Sequence, residues 1–381
     1  MNRPRQGEPR QPRGSLNHGW GSADHQCMQH RDALARLALL ALVGLMVGCH
    51  PSSGPAAETS TLPPPPGPNP AADVVAPGHE ISFRLGHTSS STSLYEQDAQ
   101  AFLTLVAQRT NGSVHGQSFP AGQLASQQEM VEQVQLGSLE MVIASSEIVS
   151  AVPEFGVFDL PFLFADRAAV KAAVNGPLGT ELARLAEKKN LILLVYWENG
   201  FRQVTNNVRP IRTPADLAGL RVRTPPDPER VSMFHALGAK AAPLDFTKLF
   251  DALQNGVFDG QENPIAQITS SRLYEVQHYL SFTNHVYTPA YLVASKPWWE
   301  SLEPDVQHAL REAALATGED SRRLGEEFDR QGEEVAVRAG MQVNHDVDRA
   351  AFQQASAQMY DDFKRRFGSH LLDLARAATP A

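Results

Sequence analysis

From Ile81 onward two hydrophobic rhythms alternate along the chain, one of period two and one of period 3.6, and together they predict a βα succession. Ile81-Ser-Phe-Arg-Leu85 is apolar at every second position and runs into Gly86-His87-Thr88-Ser89, a strand end opening into a polar turn. Residues 94–109 carry helical spacing. A short strand near Val114, a helix over 126–134 and a strand over 141–144 continue the βαβ pattern. The apolar run Phe155-Gly-Val-Phe-Asp-Leu-Pro-Phe-Leu-Phe164 reads as an internal packing loop. Helices over 166–174 and 178–188 then precede a buried strand over 191–197.

Beyond Arg202 the pattern starts a second unit. Thr213-Pro214-Ala215-Asp216 has the N-cap, the first-turn proline and the acid of a helix start. A strand over 220–224 and helices near 229–237 and 247–254 follow. Gly256 stops the last helix, and Val257-Phe258 reads as a short apolar strand piece. Asp259 to Pro264 reads as a turn too sharp for regular structure, presenting Gln261, Glu262 and Asn263. A strand over 287–294 returns to the first unit. Pro304 opens a helical pattern that reaches about Arg338 with no further proline. A helix of that length spans roughly 50 Å, more than one small domain is wide. It either breaks at Gly318, Gly325 or Gly332, or crosses both units as a spine.

Composition adds compartment and partner class. The 381 residues suffice for two domains. Net charge is -9, and beyond residue 49 there are 27 basic against 39 acidic residues. Such an acidic body disfavours nucleic acid and anionic lipid, so a site for an organic anion must be built from particular arginines. The only cysteines are Cys27 and Cys49, which removes disulfides and thiolate chemistry from the body. Arg31 and Arg36 precede twelve apolar residues that end at Gly48-Cys49. This run is too short for a membrane span but right for a signal peptide over 1–48, and Gly48-Cys49 resembles a lipobox. Met28 would be a natural true start. Residues 51–78 hold nine prolines and form, with Cys49, a tether over 49–79.

Enzyme signatures are missing: the chain has no GxGxxG, Walker A loop, GxSxG elbow or HExxH. Its thirteen histidines show no metal-ligand spacing, and no cofactor is expected. Asp259 and Glu262, three apart, are the best available acid/base pair. Ligand capture is better supported. Arg223 ends the 220–224 strand just before Pro225-Pro226, at the carboxyl end where open α/β sheets bind ligands. Its planar guanidinium can take a carboxylate through two parallel hydrogen bonds. Arg221 shares its face but lies deeper along the strand, in the position of a solvated salt bridge.

Five motifs occur in fixed order: Trp197-Glu-Asn-Gly-Phe-Arg202, Gly219-Leu-Arg-Val-Arg223, Gln261-Glu-Asn-Pro264, Glu275-Val-Gln277 and Thr283-Asn-His-Val-Tyr287. Across roughly residues 80–340 they make the chain resemble the DctP-like solute-binding proteins of tripartite ATP-independent periplasmic (TRAP) transporters. The resemblance implies a two-lobed α/β periplasmic-binding fold with a long helix spanning both lobes. Lobe I would be 80–200 with 289–328, and lobe II 201–288 with 329–381. It also implies that Arg223 grips a substrate carboxylate and that Asn263 hydrogen-bonds the same group. Arg202 matches a second arginine near the cleft, and Phe246, in Ala242-Pro-Leu-Asp-Phe246, an aromatic wall. Thr88 matches a contact to the rest of the substrate, and Trp197 could stack on it. Lys248-Leu-Phe250 departs from the family's usual Glu-Leu-Tyr, so substrate identity does not transfer.

The expected protein is thus a lipid-tethered periplasmic receptor that delivers a C4-dicarboxylate or sugar acid to TRAP permease subunits. An enzyme acting on sugar acids at the same cleft, or a sensor-associated binding protein, are the alternatives.

Overall fold

The computed structural model describes residues 80–378; the leader, Cys49 and the proline-rich stretch lie outside the described residues. In chain order the elements are β1 (Ile81–Gly86), α1 (Leu94–Arg109), β2 (Val114–Phe119), α2 (Gln127–Leu136), β3 (Met141–Ala144), α3 (Arg167–Val174) and α4 (Pro177–Glu187). There follow β4 (Leu191–Asn206), β5 (Arg221–Thr224), α5 (Pro228–Ala236), β6 (Lys240–Pro243), α6 (Leu249–Gln254), β7 (Gly260–Pro264) and α7 (Ile265–Ser270). The chain continues with β8 (Tyr279–Ser281), β9 (Tyr287–Ser295), α8 (Lys296–Glu300), α9 (Pro304–Arg338), β10 (Gln342–Asn344), α10 (Arg349–Ser356), α11 (Gln358–Phe367) and α12 (His370–Ala377). Helix starts follow local chemistry. Ser93 caps α1 by accepting from Glu96 N, and Ser126 and Glu129 cap α2 reciprocally.

The strands pair in the order β2-β1-β3-β9-β4-β7-β5-β6, with β8 on β4 and β10 on β8. β1, β2 and β3 are parallel, as crossovers through α1 and α2 require. β4 joins the two halves. It has 16 residues, far more than the expected 191–197, pairing first with β9 and then, from Arg202 to Asn206, with β7. Register shifts between Leu193 and Val195 and between Trp197 and Gly200 bend it, and Gly200 takes φ +122°, which an L side chain rarely adopts. The hydrophobic pattern loses this strand after Trp197 because the stretch that follows is polar and buried.

The stretch read as a sharp turn, Asp259 to Pro264, is mostly strand β7, wedged between β4 and β5. All five residues of β7 are buried. A polar Gln-Glu-Asn run has no period-two signature, so only its neighbours reveal it as a central strand. The expected strand piece Val257-Phe258 is a loop instead, with Val257 exposed after Gly256 at φ +66°.

The helix α9 runs unbroken for 35 residues. Its glycines are contact points, not breaks. Gly318, Gly325 and Gly332 recur every seven residues, about two turns, and so share a face. A methyl group on Gly325 would stand 2.1 Å from Glu198 Cγ on β4, and one on Gly332 would stand 2.7 Å from Ile265 Cγ1 on α7. Polar bonds fix the crossing. Glu198 N donates to Ser321 Oγ (2.8 Å), Tyr287 Oη donates to Glu198 Oε2 (2.7 Å), and Arg167 bridges Glu198 and Asp329. The α12 helix packs back on α3 and α4.

Candidate functional site

The β5 strand is only four residues long, and its two arginines meet different fates. Arg221, near the exposed edge, pairs with Asp259. Arg223, at the carboxyl end, is 1% exposed. Its Nε and Nη2 both donate to Leu244 O (2.8 and 2.5 Å), and its guanidinium lies 5.8 Å from the centre of the Phe246 ring. Among the described residues it has no ion-pair partner. Burial lowers its pKa to about 10, against the opposing charges of Glu147 and Glu262, so it stays protonated at neutral pH. A buried guanidinium without a counter-ion is costly unless something else supplies the anion.

The neighbouring arginine is compensated. Arg202 Nη2 donates to Glu262 Oε1 (3.0 Å) and to Asn263 Oδ1 (2.9 Å), and Nε donates to Glu262 Oε2. Alternation along β7 sends Glu262 to the opposite face from Gln261 and Asn263. There it also meets Arg230 Nη1 (2.7 Å) and His285 Nε2 (3.2 Å). Burial alone would raise the Glu262 pKa, but Arg202, Arg230 and the His285 bond hold it well below the usual carboxylate range. Asp159 closes the cluster by accepting from Arg230. The Asp259 and Glu262 pair is therefore not a unit: one carboxylate sits on the half-exposed Arg221 edge and the other is locked inside. Asn263 Nδ2 donates to Gln261 Oε1 (2.6 Å), so its amide is oriented from both sides.

Arg223, Arg202, Asn263, Phe246 and Thr88 line one cavity of about 330 Å³, counting its open mouth. Trp197, the sixth candidate, is not among its walls. It packs edge-on against Phe102 with ring centres 6.1 Å apart, and its indole donates to Thr317 Oγ1 on α9 (2.9 Å). The bend after Trp197 carries Asn199 and Arg202 to the cavity instead.

Apart from Thr88, the opposite wall carries no residue that the sequence singles out. Gln127 donates to Thr88 Oγ1 (3.3 Å) and accepts from Ser145 N (2.8 Å). Asn199 Nδ2 donates to Ser145 Oγ (3.0 Å), and Gln267 joins Ser89 (2.9 Å) to Asn199 (3.4 Å). Ser145, Ser146 and Glu147 follow the carboxyl end of β3, so the strand-end rule that singles out Arg223 points to them equally. The arrangement is a polar cage with one unpaired cation, suited to holding an organic anion. Among the described residues no cluster of three or more His, Cys, Asp or Glu could hold a metal ion.

The sequence pattern of the bacterial extracellular solute-binding proteins, family 7 (DctP), matches residues 85–366. The chain belongs to this family. Among DctP relatives, the 2,3-diketo-L-gulonate-binding periplasmic protein YiaO of Escherichia coli (strain K12) is 35% identical over 282 residues, covering 74% of this chain and 86% of YiaO. A TRAP periplasmic solute-binding protein from Polaromonas sp. JS666, bound to D-erythronate, superposes with a TM-score of 0.77 at 35% identity, covering 79% of this chain and all of that one. The sugar acid binding protein DctPAm from Advenella mimigardefordensis, in complex with galactonate, gives 0.74 at 33%, covering 79% and 99%. The two-lobed α/β architecture of the TRAP solute-binding proteins is thus that of this DctP protein, with α9 as its spine.

Proposed function

We propose that this DctP protein captures a small organic acid between its lobes, with Arg223 as the carboxylate anchor, and passes it to TRAP permease subunits. The observation that carries this reading is the buried guanidinium of Arg223, without an ion-pair partner among the described residues, in a cavity lined by polar side chains. Asn263, oriented by Arg202 and Gln261, adds a donor to the same carboxylate. Phe246 forms the apolar wall beneath the guanidinium, and Thr88 contacts the remainder of the ligand. The lobes are 80–200 with 289–328 and 201–288 with 329–381, meeting along β4 and α9, while α12 straps back to α3 and α4. Both C4-dicarboxylates and sugar acids present the required group, and sugar acids are favoured by the galactonate and D-erythronate complexes of the relatives.

Closure is the functional event in this reading, and no bond is made or broken. Ligand contacts from both lobes favour the closed state because only there are they made together. Small-angle scattering of the 80–381 protein with galactonate is expected to give a smaller radius of gyration than without, and the ligand is expected back chemically unchanged. Recovery of a product would transfer the case to a sugar-acid enzyme.

The same reading makes the receptor a periplasmic lipoprotein anchored through Cys49, with the proline-rich stretch as spacer. Its support is the basic, apolar and small-residue run that ends at Gly48-Cys49. Cys49→Ser is expected to release the protein from membranes or leave it unprocessed. Wild-type fractionation and maturation of this variant would refute the anchor.

A further inference from the structure

A second ionic group faces the cavity without an ion-pair partner. Glu147 lies in the short turn after β3, 6% exposed, and among the described residues its carboxylate has no side-chain hydrogen bond or ion pair, only its own backbone N–H. Ser146 beside it also lines the cavity, and its buried Oγ has no partner among the described residues. Other polar side chains of that wall are engaged: Thr88 with Gln127, Asn199 with Ser145, Ser89 with Gln267. Burial raises the Glu147 pKa, with Arg223 the strongest opposing charge, and Glu147 is in turn the strongest opposing charge on Arg223. One cavity thus holds an unpaired base and an unpaired acid.

We infer that Glu147, with Ser146, is the specificity-determining pole of this receptor, selecting hydroxylated monocarboxylates and rejecting dicarboxylates. The inference rests on the reading of Arg223 as carboxylate anchor. A ligand hydroxyl has a proton to donate to a Glu147 oxygen and lone pairs to accept from Ser146. A second ligand carboxylate brings acceptors only. Two carboxylates placed together cannot both stay ionised, so one must take up a proton at a cost in affinity. Aldonic acids, with one carboxylate and a chain of hydroxyls, fit both poles; succinate fits one and opposes the other.

The test is calorimetric titration of the wild type, Glu147→Gln and Arg223→Lys with D-galactonate and with succinate. Like charges forced together cost affinity, so wild type is expected to prefer galactonate by at least about tenfold, and Glu147→Gln to narrow that ratio by at least about tenfold. If Glu147 merely balances Arg223, its removal shifts both acids alike and leaves the ratio unchanged. An unchanged ratio, or a wild-type preference for succinate, overturns the assignment while the loss of binding in Arg223→Lys keeps the anchor standing. A wild type that binds neither acid overturns the anchor and this inference with it. Melting temperatures guard against misfolding. Should Glu147→Gln fail to fold, Glu147→Asp keeps the charge and is expected to keep rejecting succinate; acceptance of succinate by that variant overturns the assignment.

Discussion

Arg223→Lys is expected to weaken galactonate binding about thirty- to several-thousand-fold, corresponding to roughly 2–5 kcal/mol for a buried, hydrogen-bonded charge pair that loses one partner. The ammonium keeps the charge but not the fork. In the structure two of the guanidinium nitrogens are already spent on Leu244 O, which fixes the plane and leaves Nη1 without a hydrogen-bond partner among the described residues. Lysine has no second nitrogen with which to hold that carbonyl and a carboxylate together in one plane. Arg221→Lys is the control, because Arg221 sits in an exposed pair with Asp259 and outside the cavity. Exposed pairs are worth about 0–1 kcal/mol, so binding by this variant should stay within severalfold of wild type. Isothermal titration of the three proteins decides it. Wild-type affinity in Arg223→Lys, or a greater loss in Arg221→Lys, would remove Arg223 from the site.

Glu262→Gln is expected to destabilise the fold by about 3–5 kcal/mol at neutral pH, since breaking a buried ion pair strands its partners. Arg202 would face a neutral amide beside the residue-262 backbone oxygen and Asn263, and Arg230 would keep only Asp159 as an ion-pair partner among the described residues. The effect carries its own pH signature. The folded-state pKa of Glu262 lies well below its ordinary 4.5, so the unfolded chain binds the proton first. Its stabilisation is therefore complete above about pH 4.5 and falls away as the pH drops further. The difference between wild type and Glu262→Gln, measured by urea denaturation from pH 7 to pH 3, should shrink below that point. A constant difference would mean that the carboxylate charge is not what stabilises the cluster. His285 adds to the same acid limb a little earlier. Burial, set against its Glu262 bond, lowers its pKa from 6.5, so protonation of the unfolded chain costs stability as the pH falls through that value.

Arg223 was legible because a strand, a proline stop and a motif converge on one residue, and each is a local property. Phe246 and Asn263 followed from the motifs, although the backbone under Asn263 was misread. Gln261-Glu-Asn-Pro264 looks like a turn by composition and is a central strand by pairing. Its polar side chains are admissible there only because Arg202, Thr205 and Arg230 arrive from other strands and helices to satisfy them. Trp197 was expected to stack on the substrate, but its indole packs on Phe102 and α9, and the bend at Gly200 brings Asn199 and Arg202 to the cavity instead. Glu147, Gln127 and Asn199 were passed over because an isolated polar residue after a strand announces nothing until the opposite wall is known.

Local hydrophobic periodicity and turn chemistry thus determined the α/β class, most element positions and the proline-free helical pattern of α9. Those properties depend on residues a few positions apart, whose preferences are expressed before the chain is folded. The tertiary structure alone decided that three glycines of α9 are contacts and not breaks, that β4 belongs to both halves, and which charges are paired. Those depend on what a residue meets from distant segments. Gly325 and Glu198 are more than a hundred residues apart in sequence yet leave no room for a methyl group between them. Arg202 and Arg223 are both buried arginines beside one cavity, and the arrival of Glu262 at the first leaves only the second without an ion-pair partner among the described residues.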